Sequence, residues 1–381
     1  MRIRWERWLL LTVLLLVLCG GSTGSFSSAM AADVTPLKIG SPAPKFELPG
    51  VDGNIYRLED FDDSPILVVI FTCNHCPTAQ AYEGRIKQLH ADYKDKGVAV
   101  VAISPNDPQA VRLDELGYSD LGDSLEEMKI RAQDAGFEFP YLYDGDTQRV
   151  SRAFGVLATP HVFIFDRQRK LRYAGRIDDN DIGPPKSHDA RRAIEELLAG
   201  KPVSVPETRV FGCSTKWSDK RESARQALAR WDQEPVELQT ISPEKLRTRL
   251  TEQSDKYRLV NVWATWCVPC IEELDDLVTM HRMYRKRKFE LITVSADRPS
   301  ARDAARKVLQ EKHCSATNYI LDTDEQDALF DAVDPQWKGA VPYTLLIAPS
   351  GEVVHRVHGE FDPRELKRVI VEHLGRTYAS R

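Results

Sequence analysis

The chain has 381 residues, of which 42% are hydrophobic and 29% are charged, and its formal net charge is −5. This length is sufficient for two domains with complete cores, and the composition is that of a soluble globular protein. The small negative charge, with no stripe of interleaved basic and aromatic residues, predicts that the chain does not bind nucleic acid.

The first 31 residues have the pattern of an export signal peptide. Three arginines precede an apolar run at residues 9–18, and the small residues that end at Ala31 fit an A-x-A cleavage site. The apolar run is short for a membrane span, which favours cleavage over anchoring. We therefore expect an exported protein, in the periplasm or at an extracytoplasmic face, with no stable membrane span in its mature form.

Residues 34–199 predict a first α/β domain. After two short strands joined by a turn, an apolar strand at residues 66–71, a helix that begins at Pro77 and a strand from Val98 follow in β-α-β order, which implies parallel strands. Pro160 opens a later apolar strand, at a place where the missing N–H of proline is tolerated. Residues 200–235 predict a linker or an extended tail, followed by a charged helix.

Residues 236–378 repeat this plan, and Pro342 opens a strand in the same manner as Pro160. The predicted fold class is therefore α/β, with two domains that each contain a central mixed β-sheet flanked by helices.

Both domains place two cysteines, separated by two residues, where an apolar strand gives way to a helix: Cys73 with Cys76, and Cys267 with Cys270. Unpaired N–H groups and the helix dipole stabilise a thiolate there, and can lower a thiol pKa of about 8.5 to roughly 3.5 to 7.5. Two such pairs in matching contexts indicate redox-active disulfides. We take the pairs to match residue by residue, so that Cys73 corresponds to Cys267 and Cys76 to Cys270. We expect no bound metal or cofactor, because a zinc site would need the pairs to converge and C-x-x-C-H is absent.

The residues between the cysteines predict different reduction potentials. His75 lies next to Cys76, where an imidazole would stabilise the thiolate and make the disulfide more oxidising. The alternative is that His75 merely faces solvent. Val268 and Pro269 offer no such group, so we expect the C-terminal pair to be the more reducing.

Two further cysteines, Cys213 and Cys314, lie outside both motifs. Three interpretations stay open: they form a disulfide with each other, they are buried thiols, or Cys213 exchanges with a neighbouring pair.

The sequence Trp-Ala-Thr-Trp-Cys-Val-Pro-Cys at residues 263–270, with Val341-Pro342 downstream, resembles the thioredoxin superfamily, in particular its exported members of the cytochrome c maturation type. The resemblance implies that Cys267 is the nucleophile, that Cys270 resolves the mixed disulfide, and that the peptide bond before Pro342 is cis. Thioredoxin has a buried aspartate where this chain has Asn261. The neighbouring acids of the helix, Glu272 and Glu273, are candidate proton acceptors, and helix capping is the alternative role for them.

The first domain resembles the peroxiredoxin-like branch of the same superfamily, the alkyl hydroperoxide reductase/thiol-specific antioxidant type. The resemblance is carried by residues 40–48 and by Cys76-Pro77-Thr78. If Cys76 is the peroxidatic cysteine, Val69 and Cys73 occupy the proline and Thr/Ser positions of the peroxiredoxin motif. The additional cysteine restores a C-x-x-C, and Pro160 supplies the proline loop.

These patterns predict an exported thiol-disulfide oxidoreductase that acts on protein thiols and disulfides and exchanges electrons with an upstream redox donor or acceptor. A thiol peroxidase in the first domain is one alternative. A copper-handling chaperone is another, because residues 71–77 distantly resemble the copper chaperones of cytochrome oxidase assembly and thiolates suit Cu(I).

Overall fold

The computed structural model describes residues 34–380, so the signal peptide predicted at residues 1–31 lies outside the described chain. Two central mixed sheets, one of five strands and one of six, are each packed against helices. The expected α/β fold class is therefore confirmed.

The N-terminal sheet has the strand order β5-β4-β3-β7-β8. Strands β3, β4 and β5 are parallel to one another, and β7 pairs antiparallel with both β3 and β8. The elements of this half are β1 (Glu47–Pro49), β2 (Ile55–Arg57), β3 (Ile66–Phe71), α1 (Pro77–Tyr93), β4 (Val98–Ser104), α2 (Leu125–Ala135), β5 (Tyr141–Tyr143), α3 (Arg149–Phe154), β6 (Ala158–Thr159), β7 (His161–Phe165), β8 (Leu171–Gly175) and α4 (Asp189–Leu198).

Strand β3 is the centre of this half, since all six of its residues are buried and it pairs with β4 on one side and β7 on the other. A strand covered on both faces is expected to be continuously apolar, as this one is. The strand delivers the chain to the turn before α1, which carries Cys73 and Cys76.

Residues 200–235 add two elements, β9 (Cys213–Ser214) and α5 (Arg221–Asp232). Part of the predicted tail lies along the N-terminal half, since Glu207 forms a β-bridge with Ala174 and β9 pairs with β6. The side chain of Phe211 packs on the core of that half beside Tyr82. This segment is therefore fixed to the N-terminal half, and its strand places Cys213 opposite Thr159.

The C-terminal sheet has the order β10-β13-β12-β11-β14-β15, in which β11 is central and fully buried from Arg258 to Trp263. Its elements are β10 (Gln239–Ile241), α6 (Pro243–Thr251), β11 (Tyr257–Trp263), α7 (Val268–Tyr284), β12 (Phe289–Ser295), α8 (Arg302–Glu311), β13 (Thr317–Leu321), α9 (Gln326–Val333), β14 (Tyr343–Ile347), β15 (Val353–His358) and α10 (Pro363–Leu374).

The two halves meet where the loop before α2 contacts the far end of α7 and the end of the chain. The hydroxyl of Tyr284 donates a hydrogen bond to the carbonyl of Ser119, and the guanidinium of Arg376 lies 2.5 Å from the Asp120 carboxylate. Within residues 34–380, no helix has the length and hydropathy required to cross a membrane.

Candidate active site

The C-terminal cysteines lie at the beginning of α7. Cys267 is the N-cap residue of the helix and Cys270 is in its first turn, joined to Cys267 by a disulfide with a Cα–Cα distance of 5.3 Å. Both cysteines are buried, whereas the side chains on either side of Cys267 protrude: Trp266 is 68% exposed and Val268 is 66% exposed. The disulfide therefore lies beneath an apolar rim formed by these two side chains.

The N-terminal cysteines are both free thiols in this structure, and they do not occupy the same positions as the C-terminal pair. Cys76, not Cys73, is the N-cap residue of α1, and its sulfur accepts a hydrogen bond from the backbone N–H of Ala79. The expected residue-by-residue match between the two pairs is therefore wrong. The thiol at the positive end of the helix dipole is Cys76, the counterpart of Cys267.

Each half has a cis-proline loop, since Thr159–Pro160 and Val341–Pro342 are both cis. The second of these bonds is cis as the family resemblance implied. Thr159 contacts both N-terminal sulfurs: its hydroxyl lies 3.1 Å from the sulfur of Cys73, and its carbonyl oxygen lies 3.5 Å from that of Cys76. The structure thus places Pro160 beside the N-terminal pair.

His75 is buried beside these sulfurs, so the interpretation that it faces solvent is wrong. Its Nδ1 lies 2.5 Å from Oδ2 of Asp123, which is also buried. Burial alone would lower the pKa of His75, but the charge and hydrogen bond of Asp123 outweigh it and raise that pKa above the usual value. Asp123 therefore favours the protonated form of this imidazole.

The two thiols of the N-terminal pair have opposite protonation preferences. Burial raises the pKa of Cys73 well above the usual range, and the hydrogen bond that its thiol makes to Cys76 adds to this effect. Burial would also raise the pKa of Cys76, but hydrogen bonds from Cys213 and Cys73, together with the charge of His75, hold it well below the usual range. Cys76 is therefore the thiolate and Cys73 the thiol.

Of the two cysteines outside the motifs, Cys213 belongs to the N-terminal site and Cys314 does not. Cys213 packs against the cluster of Cys73, Cys76 and Ala79, whereas Cys314 is buried in the C-terminal core near Asn318. Both are free thiols, which excludes the interpretation that they pair with each other. A hydrogen bond to Cys76, followed by burial, raises the pKa of Cys213 above its usual range.

The two candidate proton acceptors of α7 differ in burial. Glu273 is buried and accepts a hydrogen bond from the backbone N–H of Phe361, whereas Glu272 is exposed. Burial raises the pKa of Glu273 to about 7. This carboxyl group can therefore take up and release a proton near neutral pH, and capping of its own helix is not the role its contacts indicate.

One group of potential metal donors lies at the N-terminal site. A single ligand atom from each of Cys73, His75 and Asp123 lies within 4.8 Å of the others. The Asp123 carboxylate already accepts hydrogen bonds from the backbone of Asn74 and from the side chains of His75 and Asn106. Sulfur and imidazole are thus the more available donors of the group.

Sequence inspection missed two residues of this site, Asp123 and Asn74, and named Thr159 only as part of the proline loop. Asp123 lies in a polar loop 48 residues beyond His75, and no sequence pattern connects the two. Thr159 had a usable signal, since it immediately precedes the proline that opens β7.

The chain matches known proteins in both halves. The model of the AhpC/TSA family matches residues 39–174 and 235–356. Thiol-disulfide oxidoreductase ResA of Geobacillus kaustophilus (strain HTA426) is 27% identical over 122 residues, which are 32% of this chain and 64% of that protein. The ResA of Geobacillus thermodenitrificans (strain NG80-2) is 24% identical over 181 residues, 46% of this chain and 92% of that protein.

Among solved structures, an uncharacterized conserved protein from Geobacillus kaustophilus is 40% identical, with a TM-score of 0.43. The match covers 48% of this chain and 93% of that protein. The chain spans less than two thirds of the length of the first ResA relative.

Proposed function

The chain belongs to the AhpC/TSA family, whose model matches more than half of its length, and from this premise we propose that it is an exported thiol-disulfide oxidoreductase. Its substrates are protein thiols and disulfides, which it exchanges through two redox sites, Cys73 with Cys76 and Cys267 with Cys270. The relatives named thiol-disulfide oxidoreductase support this assignment.

The observation that carries the proposal is that each helix following a central strand begins at a cysteine, with a second cysteine three residues away in the sequence. Cys76 caps α1 and Cys267 caps α7. A sulfur at this position faces unpaired N–H groups and the positive end of the helix dipole, which favour the thiolate. Thiolates are the attacking species in disulfide exchange.

In the N-terminal site, the thiolate of Cys76 attacks one sulfur of a partner disulfide, and the other partner sulfur leaves. Cys73 then loses its proton and attacks Cys76, which releases the second partner sulfur and leaves the Cys73–Cys76 disulfide. His75, held by Asp123, stabilises Cys76 as thiolate before the attack and as leaving group in the reverse direction.

In the C-terminal site, Cys267 is the nucleophile and Cys270 the resolving thiol. The exposed side chains of Trp266 and Val268 give a partner protein an apolar contact beside the attacking sulfur. Glu273, whose pKa is raised to about 7, takes up the proton that leaves the resolving thiol, directly or through water. The backbone beside Pro342 is the surface along which the partner chain lies. Beside Pro160, the chain's own β9 already pairs with Thr159.

A thiol-exchange assay tests the proposal. We expect reduction of insulin disulfides by dithiothreitol to be accelerated by the wild-type chain, and the acceleration to fall at least tenfold when Cys267→Ser and Cys76→Ser are combined. Cys314→Ser is the matched control, because Cys314 is buried away from both sites. Full acceleration by the doubly substituted chain would overturn the proposal. Consumption of hydrogen peroxide that Cys76→Ser alone abolishes would favour a thiol peroxidase instead.

Export is proposed from the pattern of residues 1–31. The measurement is N-terminal sequencing of the protein recovered from the extracytoplasmic fraction, with the mature chain expected to begin after Ala31. Recovery of the uncleaved chain from the cytoplasm would contradict it.

A second candidate function is Cu(I) binding, which the donor group of Cys73 and His75 favours. Among the described residues, Nε2 of His75 is buried and has no hydrogen-bond partner. Thiolate and imidazole together suit Cu(I). Anaerobic titration with Cu(I) against a chromophoric chelator, followed by gel filtration, tests this function: one retained equivalent that is lost in Cys73→Ser would support it, and no retained copper would exclude it.

A further inference from the structure

The sulfurs of Cys73 and Cys76 are less accessible to a protein than that of Cys267. These two cysteines are 3% and 0% exposed and the residues between them are buried, whereas the residues on either side of Cys267 protrude. Cys213, the third cysteine of the cluster, is only partly buried. It is therefore the thiol of this site that solvent and a partner protein reach most easily.

The position of Cys213 is fixed by backbone structure. Strand β9 pairs antiparallel with β6, so that Cys213 lies opposite Thr159, whose carbonyl and hydroxyl oxygens contact the two buried sulfurs. The preceding residue, Gly212, has a φ of +139°, and a Cβ atom there would lie 2.0 Å from the carbonyl oxygen of Thr159. The chain therefore approaches the proline loop as closely as only glycine permits.

We propose that Cys213 is a third redox cysteine of the N-terminal site, which forms a disulfide with Cys76 and passes oxidising equivalents from the buried pair to protein thiols. The inference rests on the proposed function and adds to it the route between the buried sulfurs and the partner. The side chain of Cys213 packs against the buried cluster of Cys73, Cys76 and Ala79, so its thiol already lies beside the residue to which it would bond.

The exchange balances without any further reactant. In the Cys76–Cys213 form, a partner thiolate attacks the more exposed sulfur of Cys213, the disulfide breaks, and Cys76 leaves as a thiolate. A second partner thiolate then attacks the partner sulfur of the mixed disulfide, and Cys213 leaves and takes up a proton. The partner has lost two electrons to form a disulfide, and the enzyme has gained them as a Cys76 thiolate and a Cys213 thiol.

The same disulfide also equilibrates with the buried pair. Cys73 loses its proton and attacks Cys76, which forms the Cys73–Cys76 disulfide and releases Cys213 to accept a proton. A low-pKa thiolate is a good leaving group, which is the property that the surroundings of Cys76 provide when Cys213 is attacked.

The test uses the full chain with Cys267→Ser and Cys270→Ser, so that the N-terminal cysteines alone exchange. The protein is oxidised with oxidised glutathione, quenched in acid, alkylated and analysed by non-reducing peptide mapping. When Cys73→Ser is added, we expect the major product to be a peptide cross-link between Cys76 and Cys213. A glutathione adduct at Cys76, with Cys213 alkylated as a free thiol, would overturn the inference.

Two outcomes separate this inference from the proposed function. If the chain that retains Cys73 forms the Cys73–Cys76 disulfide but the Cys73→Ser chain forms no cross-link between Cys76 and Cys213, the proposed function stands and the role of Cys213 falls. If neither chain forms a disulfide, the role of Cys213 falls together with the N-terminal redox site of the proposed function.

A kinetic arm uses single substitutions. We expect Cys213→Ser to slow oxidation of a reduced protein substrate by the Cys73–Cys76 form at least tenfold, while reduction of the same disulfide by dithiothreitol, which is small, changes less than twofold. Cys314→Ser should change neither rate. Gly212→Ala retains every cysteine but displaces β9, so it should also slow oxidation of the protein substrate and leave the dithiothreitol rate unchanged. Equal rates for Cys213→Ser and wild type with the protein substrate would refute the route.

Discussion

Nδ1 of His75 lies 2.5 Å from Oδ2 of Asp123, and both side chains are buried at the beginning of α1. The Asp123 carboxylate also accepts the backbone N–H groups of Asn74 and His75. Burial would raise the pKa of Asp123, but the His75 charge and these hydrogen bonds keep it below the usual value. Asp123 therefore favours the protonated, positively charged imidazole of His75 beside the sulfur of Cys76.

The first prediction concerns this charge. Asp123→Asn removes the partner that keeps His75 cationic, so we expect the apparent pKa of Cys76 to rise by about one unit or more, equivalent to about 1.4 kcal/mol per unit. The N-terminal disulfide should become less oxidising by a comparable free energy, about 30 mV for each 1.4 kcal/mol of a two-electron couple. Thiolate absorbance at 240 nm against pH, in the chain with Cys267→Ser and Cys270→Ser, measures the first effect.

His75→Asn should act in the same direction as Asp123→Asn, and the two substitutions combined should add little to either alone, because they act as one unit. His90→Asn is the control, since His90 lies further along the same helix against Phe139. An unchanged titration in Asp123→Asn would contradict the assignment of this pair.

The regular elements could be predicted where the sequence carries a strong local signal. The bounds of β3 and α1 agree with the prediction, because a continuous apolar run is followed by a proline that suits the first position of a helix. Strands β9 and β10 were missed, since two or three residues are too few for any hydrophobic periodicity.

The candidate site was predicted in its residue types but not in its arrangement. The C-x-x-C spacing suggested that Cys73 matches Cys267, although Cys73 follows its strand by two residues and Cys267 by four. Cys76 follows its strand by five residues, which is closer to the spacing of Cys267, so the distance from the strand end favours Cys76 as the helix-capping thiol. The contact of Asp123 with His75 spans 48 residues and depends on how the loop before α2 folds back, which no local pattern encodes.

A second prediction concerns the pH dependence of stability. Because burial raises the pKa of Glu273 from its ordinary value of 4.5 to about 7, its charged form is disfavoured in the folded chain. Its contribution to stability is therefore fully present below pH 4.5 and is lost as the pH rises through 7. Glu273→Gln, which keeps the acceptor for the Phe361 N–H, should match wild type near pH 4 and unfold at a higher temperature than wild type at pH 8.

Thermal unfolding at pH 4, 6 and 8 checks this expectation, with Glu272→Gln as the control because that neighbour is exposed. A difference between Glu273→Gln and wild type that does not vary with pH would contradict it. The same variant should slow resolution by Cys270 most strongly above pH 7, where wild-type Glu273 is a carboxylate able to accept a proton.

A third prediction compares the two disulfides. The sulfur of Cys76 accepts a capping hydrogen bond from the Ala79 N–H and lies beside the His75 charge, whereas Cys267 accepts no capping hydrogen bond through its side chain. Thiolate stabilisation favours the reduced form, so the N-terminal disulfide should be the more oxidising, by about 30 mV or more. Redox titration of the full chain, followed by alkylation and mass spectrometry, measures both pairs in one sample.

To assign each transition, the titration is repeated with Cys267→Ser and Cys270→Ser together, which should leave the N-terminal midpoint unchanged. The prediction is wrong if the N-terminal pair titrates at the same potential as the C-terminal pair or at a more negative one.

The last prediction concerns how the halves are joined. Arg376 lies 2.5 Å from Asp120, whose carboxylate is buried, and a second ion pair between the halves, Arg364 with Asp134, spans 3.5 Å at the surface. Arg376→Ala leaves a buried charge without its partner and should lower the free energy of unfolding by about 1 to 3 kcal/mol. Arg364→Ala, the matched control, should cost less than about 1 kcal/mol because exposed pairs contribute little.

Urea denaturation at pH 7 and pH 3 distinguishes the electrostatic cause from lost packing. Burial alone would raise the pKa of Asp120, but Arg376 outweighs burial, and the pKa of this carboxyl group is lowered. The stability that the Asp120 carboxylate contributes is therefore present at neutral pH and is lost as the pH falls through its folded-state pKa. The cost of Arg376→Ala should therefore shrink in acid. At pH 7, adding Asp120→Asn to Arg376→Ala should recover part of the lost free energy of unfolding, because the buried charge without a partner is then gone. If the double variant loses as much as Arg376→Ala alone, the effect comes from packing of the arginine instead.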